Sequence, residues 1–219
     1  HRIENRFTLK QGASVTKAES NTFSPQYGSS SLLRYETGGS PPRGAEWDST
    51  KTSDVLRGHP NDVEVTDGTT LDLSAGGAGT ARSIAGALTI GGSSTLDMDD
   101  MYAALTVPGA LTVDGTLALG SAAGGNAQAQ GSTVQVGGTV TANSGRLILN
   151  SSSAQTLSGG GTVGALSINN GNGVSLESIA RALDFSDAEI QRLRFVLIKL
   201  RKLGFVHAEE FALLGGEDY

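Results

Sequence analysis

The stretch "GALTVDGTLALGS", residues 109 to 121, decides how the rest of the chain reads. It holds two apolar–polar–apolar triplets, Leu111-Thr112-Val113 and Leu117-Ala118-Leu119, joined by Asp114-Gly115-Thr116. Such a triplet is a minimal strand with two side chains on one face and one on the other. The Asp-Gly step between the two supplies the chemistry of a sharp corner. Moving outward, the unit recurs at Val63–Val65, Leu71–Leu73, Leu88–Ile90, Leu96–Met98 and Leu105–Val107, and again at Val134–Val136, Leu147–Leu149, Leu166–Ile168 and Val174–Leu176. Corners such as "IGGSST" (90 to 95) and "NNGNG" (169 to 173) separate the triplets.

An antiparallel sandwich would need longer strands, about five to six residues each, and a thicker core. Here aromatic residues are 5% of the chain and 31 of the 219 residues are glycine. Small aliphatic side chains must therefore be buried in a thin, repeated interior. The pattern predicts an all-β fold, a right-handed parallel β-solenoid (β-helix), in which each coil covers the apolar interior of its neighbour. Residues 1 to 62 read as an irregular N-terminal coil with a Pro/Trp loop, residues 63 to 176 as the regular coils, and residues 177 to 219 as a small C-terminal α-helical element. Within the first part, "RFTLKQGASVTK" reads as a first coil and "SSSLLRYE" as strand-like, and the loop from Thr37 to Val63 carries three of the five prolines and the one tryptophan. A loop of that length is expected to pack or to bind.

The chain has no cysteine, which excludes disulfides, thiol catalysis and Cys-based zinc sites. Its formal charge of −6 argues against a nucleic-acid or anionic-membrane binder along the whole length. No stretch approaches the roughly 18 apolar residues of a transmembrane helix, so the chain reads as not membrane-spanning. It opens "HRIENRFTLK", with neither Met nor a cationic-then-apolar leader, as a processed or excised start would.

"LLRYETGGSPPRGAEWDST", "HPNDVEVTDGTTLDL", "GALTIGGSSTLDM", "GALTVDGTLALGS" and "SSSAQTLSGGGTVGALSINNGNGVSL" together resemble the repetitive surface proteins of Bacteroidota and related bacteria. The likeness covers about residues 20 to 176, and its loop motif "Y-x-x-G…G-x-E-W" is matched by Tyr35, Gly38, Gly44, Glu46 and Trp47. The resemblance implies right-handed β-helical stalks, secretion to the cell surface, and a structural or adhesive role. It stops at Leu176, where the relatives continue with another coil.

Beside that resemblance, the residues offer little catalytic chemistry. Asp97, Asp99 and Asp100 in "LDMDDM" are oxygen donors of the type calcium takes, but no second acidic cluster or paired arginine accompanies them, and a solvated turn is expected. His1, His59 and His207 lie far apart in sequence and suggest neither a triad nor a zinc site; surface positions are expected for them. Outward threonines at Thr89, Thr106 and Thr112 share their faces with Glu64, Asp72, Asp97 and Gln135, too mixed for a regular ice-binding array. Tyr35 and Trp47 with Pro41-Pro42 are the candidate glycan contact, as an exposed stacking platform; the competing reading is a plug that pins the loop onto the stalk.

The tail changes character. Glu177 to Leu183 reads as a short helix and Asp187 to Leu203 as a longer one, with Gly204 at its C-terminal cap and charges placed to suit the helix dipole. At 100° per residue Ile190, Leu193, Val196, Leu197, Leu200 and Leu203 form one stripe, while Phe195 and Ile198 fall on the other side. A helix apolar on two sides wants two partners, so this set reads as a capping or self-association surface. The segment also weakly resembles a winged-helix DNA-binding element, although Phe195 and Ile198 stand where base-reading polar side chains belong.

The sequence thus leads to a non-catalytic extracellular or cell-surface stalk, adhesin or fibre subunit, with no catalytic residues, no metal and no cofactor, and with self-association through the tail. The alternatives are a carbohydrate-binding or polysaccharide-degrading β-helix and a tail that is a nucleic-acid-binding or fused helical module.

Overall fold

The computed structural model describes residues 2–3, 5–10, 25–48, 58–75 and 77–174. Among them it is an all-β parallel solenoid of about six turns. The helical element expected at 177–219 and the assembly residues Ile190, Leu193, Phe195, Val196, Leu197, Ile198, Leu200 and Leu203 lie outside the described residues, as do His1 and His207.

Three sheets form the faces. The first has seven strands: β2 (Arg6–Lys10), β4 (Leu32–Glu36), β5 (Asp62–Val65), β8 (Leu88–Ile90), β11 (Leu111–Val113), β14 (Thr133–Val136) and β17 (Thr156–Ser158). The second has five: β6 (Thr70–Asp72), β9 (Thr95–Asp97), β12 (Thr116–Ala118), β15 (Thr139–Thr141) and β18 (Thr162–Val163). The third also has five: β7 (Arg82–Ser83), β10 (Leu105–Val107), β13 (Ala127–Ala129), β16 (Leu147–Leu149) and β19 (Leu166–Ile168). A separate pair, β1 (Arg2–Ile3) with β3 (Gln26–Tyr27), lies at the N-terminal end.

Alternation along each strand sends the apolar side chains inward, and parallel pairing in register stacks like on like. On the first face Leu33, Val63, Leu88, Leu111, Val134 and Leu157 form one inward column, and Tyr35, Val65, Ile90, Val113 and Val136 a second. Leu71, Leu96, Leu117, Val140 and Val163 form the column of the second face, and Leu105, Ala127, Leu147 and Leu166 that of the third. Nearly all are fully buried, so the core is a rod of small aliphatic side chains.

Two corners are built on stacked glycines. A Cβ on Gly138 would run into the backbone carbonyl of Gly115, and one on Gly161 into that of Gly138, so the Gly115–Gly138–Gly161 corner leaves no room for any other residue. Gly109 and Gly131 are stacked in the same way over Gly86 and Gly109. Between the first and second faces the chain crosses in two to four residues, as at Asp67-Gly68, both with positive φ (57° and 68°) and closed by Thr69 N donating to Thr66 O. Between the second and third faces the crossing takes nine, seven, eight, five and two residues in successive coils.

Candidate functional site

The densest group of polar side chains sits inside the N-terminal coils, where the Pro/Trp loop folds against the solenoid. The 3-10 turn Ala45–Trp47 is buried, and it stands where the coil preceding β7 would otherwise supply a strand to the third face. Trp47 is fully buried, and its indole Nε1 donates to the carbonyl of Ser83 at 3.0 Å, satisfying an acceptor of the edge strand β7. The ring of His59, itself buried, lies 3.0 Å from Ser83 Oγ through Nε2. Two side chains of the loop thus close the edge that a further strand would pair with, a common requirement for an unpaired sheet end.

Glu46 organises the loop from within. Its Oε1 accepts from the Tyr35 hydroxyl at 2.8 Å and from Gly44 N at 2.8 Å, while its backbone carbonyl accepts from the Tyr27 hydroxyl at 2.8 Å. Arg43, almost wholly buried, donates to the carbonyls of Gly44, Trp47 and Ala75 and lies 3.5 Å from Asp48. Burial, with Glu46 adding to it, pushes both tyrosine hydroxyls well up, so they stay protonated donors. Burial also lowers the Arg82 guanidinium to about 10 and draws the His59 imidazole below its usual value, with a hydrogen bond to the Ile84 backbone opposing the second shift. Gly38 turns the chain with φ 60°, and Gly58 (φ 65°) passes so close to Asp48 N that a Cβ there would sit at 2.9 Å.

Tyr35, Gly38, Gly44, Glu46 and Trp47, the residues of the loop motif, are therefore parts of one folded unit. The exposed stacking platform expected as one reading of Tyr35 and Trp47 is corrected: both rings are 0% exposed and neither offers a face to a glycan. His59 is likewise buried and not at the surface. Sequence reasoning passed over Tyr27, Arg43, Arg82 and Ser83, whose spacing gives no signal because their partners lie up to 36 residues away.

The remaining candidates lie on the outside. Asp97 Oδ1 accepts from Asp99 N at 2.9 Å, and Asp99 Oδ1 from the Asn143 amide, so this acidic turn is hydrogen-bonded into its own corner. Among the described residues no group of three or more His, Cys, Asp or Glu side chains is gathered that could hold a metal ion. Thr89 and Thr112 stack between Glu64 and Gln135 on the first face, and Thr106 between Ser83 and Gln128 on the third. A longer threonine row runs down the second face, Thr70, Thr95, Thr116, Thr139 and Thr162, beside Asp72, Asp97, Ala118 and Thr141. Thr70, Thr95 and Thr116 each fall one residue before an apolar triplet of the repeat, whereas Thr139 and Thr162 stand beside no triplet at all.

At the other end, Gln155 joins three coils. Its Nε2 donates to Ala129 O at 3.0 Å and Gly131 O at 2.8 Å in the coil below, and its Oε1 accepts from Ser151 N in its own coil and from Asn170 Nδ2 in the coil above. At the N-terminal end of the first face, Arg34 bridges Glu36 (2.9 Å) and Glu64, and Lys10 reaches Glu36 at 3.3 Å. The hydrogen bond from Arg34 leads in holding the Glu36 carboxyl below its usual range. These groups tie coil to coil. No helix among the described residues is long and apolar enough to cross a membrane. Comparison of the chain with family models, with curated proteins and with solved structures finds no match.

Proposed function

We propose that the chain is a non-catalytic structural or adhesive β-solenoid, a stalk or fibre subunit that works outside the cell or at the cell surface. The observation that carries this reading is the fate of the polar cluster: Tyr27, Tyr35, Arg43, Glu46, Trp47 and His59 hydrogen-bond to one another, to Ser83 and to backbone inside the fold, with Arg43 Nε and Glu46 Oε2 buried beside them without a partner among the described residues. Perturbed titratable groups are the usual marker of chemistry, and here they fasten a loop to an edge. The coils wind with a right hand, the hand that parallel strand-to-strand crossovers favour. At about 4.8 Å per rung, six turns give a rod about 30 Å long, a rigid spacer whose length is set by the number of coils.

A second reading, carbohydrate binding along the side, draws on the five-threonine row, one threonine per rung along the second face. One experiment separates the two. The full chain is screened on a glycan array and incubated with acidic and neutral polysaccharides while released reducing ends are measured. The structural reading expects neither saturable binding nor release. Glycan binding that is lost in Thr95→Lys and Thr116→Lys, or polysaccharide cleavage, would replace it with the second reading. Protease shaving of intact cells of the native host checks the location, with release of solenoid peptides expected.

A further inference from the structure

The C-terminal end of the solenoid is open among the described residues. Leu147 and Leu149 on the third face are both 0% exposed, whereas the residues stacked directly on them, Leu166 and Ile168, are half-buried and 47% exposed. The same inward positions thus lose their cover within one rung. The upper edges of β17, β18 and β19 are the last in their sheets, and an edge of unpaired N–H and C=O groups over an uncovered apolar cross-section is a template for association. The chain also leaves from this end: Val174 bridges Gln155 in parallel on the first face, the start of one more rung, and residues 175 to 219 follow it.

We propose that this end is covered by residues 177–219 of the same chain, through the apolar stripe Ile190, Leu193, Val196, Leu197 and Leu200. The dimensions fit. A coil of three strands of three residues is about 10 Å along each side, and the helix that the sequence predicts over 187–203 would be about 25 Å long and about 10 Å across. One such helix laid over the cross-section hides Leu166 and Ile168. Attachment at Val174 decides between occupants, because a tethered segment acts at an effective concentration on the order of millimolar, far above that of a second copy in solution. The cap depends on the coil geometry and not on a stalk role, so either reading can fail while the other holds.

The chain contains no cysteine, so a single introduced thiol reports on one place only. In the full chain Ile168→Cys is treated with a maleimide, with Tyr102→Cys, on a side position 62% exposed, as the reference. A cap makes Ile168→Cys react about tenfold or more slowly than Tyr102→Cys, since thiol reactivity follows exposure. Adding Leu193→Asp and Leu197→Asp restores the fast rate while amide exchange at Leu88–Ile90 stays slow, which shows that the coils remain folded. Equal rates for the two thiols in the otherwise unchanged chain overturn the cap. Protection that appears only with rising protein concentration, together with a doubled mass by light scattering, overturns it in favour of a second copy. If the aspartate pair melts the coils, Leu197→Ala with Leu200→Ala is read in the same way.

Discussion

Replacing Gly138 by alanine tests the stacked-glycine corner directly. The added Cβ falls against the carbonyl oxygen of Gly115 and within 2.5 Å of that of Asp114, both backbone atoms of the coil below. To make room the two coils must part locally by about 1 Å, since a void-free interior has no slack to absorb a methyl group. Three hydrogen bonds cross this point at 2.8 Å: Gly137 N and Gly138 N to Val113 O, and Thr139 N to Gly115 O. Losing two or three of them at about 1 kcal/mol each costs about 2–3 kcal/mol. The reduced freedom of the unfolded alanine chain returns about 0.4–1 kcal/mol. The net loss of about 2 kcal/mol lowers the melting temperature by about 4–8 °C for a domain of this size. Gly160 is the internal control: it lies next to the stacked Gly161, a Cβ on it meets nothing within 4 Å, and its φ is not positive. Gly160→Ala is expected to match or slightly exceed the parent. Thermal unfolding followed by circular dichroism gives both values. Equal melting temperatures for Gly138→Ala and Gly160→Ala would refute the claim that coil-to-coil backbone approach fixes glycine at this corner.

Other perturbations probe the remaining ties. Trp47→Phe keeps a ring but removes the donor to Ser83 O, leaving a buried carbonyl unpaired; a loss of about 1–3 kcal/mol is expected in denaturant unfolding. Gln155→Leu strips partners from Ala129 O, Gly131 O and Ser151 N and should cost about 2–4 kcal/mol, whereas the same change at outward Gln135 should be within about 0.5 kcal/mol of neutral. For His59 the folded imidazole titrates below its ordinary value of 6.5, so the unfolded chain binds the proton first as pH falls. Stability from this group is therefore full above about pH 6.5 and declines on acidification until the folded pKa is passed. Chemical unfolding at pH 7.5 and 5.5 should show a difference that shrinks in His59→Asn, and an identical difference in both chains would exclude His59 as its source.

How much of this was legible in the letters depended on side-chain size. Triplets with large inward residues, such as Leu88-Thr89-Ile90 and Leu111-Thr112-Val113, announce their strands because the hydrophobic alternation is unmistakable. Ala127-Gln128-Ala129 pairs with Leu105–Val107 on the third face with both alanines buried, yet alanine carries too little apolar surface to mark a strand. Thr139-Val140-Thr141 and Thr156-Leu157-Ser158 point a single apolar residue inward and invert the expected pattern. Their places are fixed by the coil below, through register with Thr116–Ala118 and Thr133–Gln135. The loop motif was visible as a set of residues, but nothing local distinguishes an exposed tryptophan from a buried one. The donor–acceptor pair that settles it, Trp47 with Ser83, spans two coils.

The corner between the second and third faces shortens from nine residues to two along the rod while the ladders on either side keep their pairing. Hydrogen-bond register constrains which residues meet, and it is indifferent to the contour length of the chain travelling between them. That corner is accordingly where the protein can accept inserted sequence, in evolution or by engineering, and carry a foreign peptide at a fixed height along the rod without disturbing a single rung.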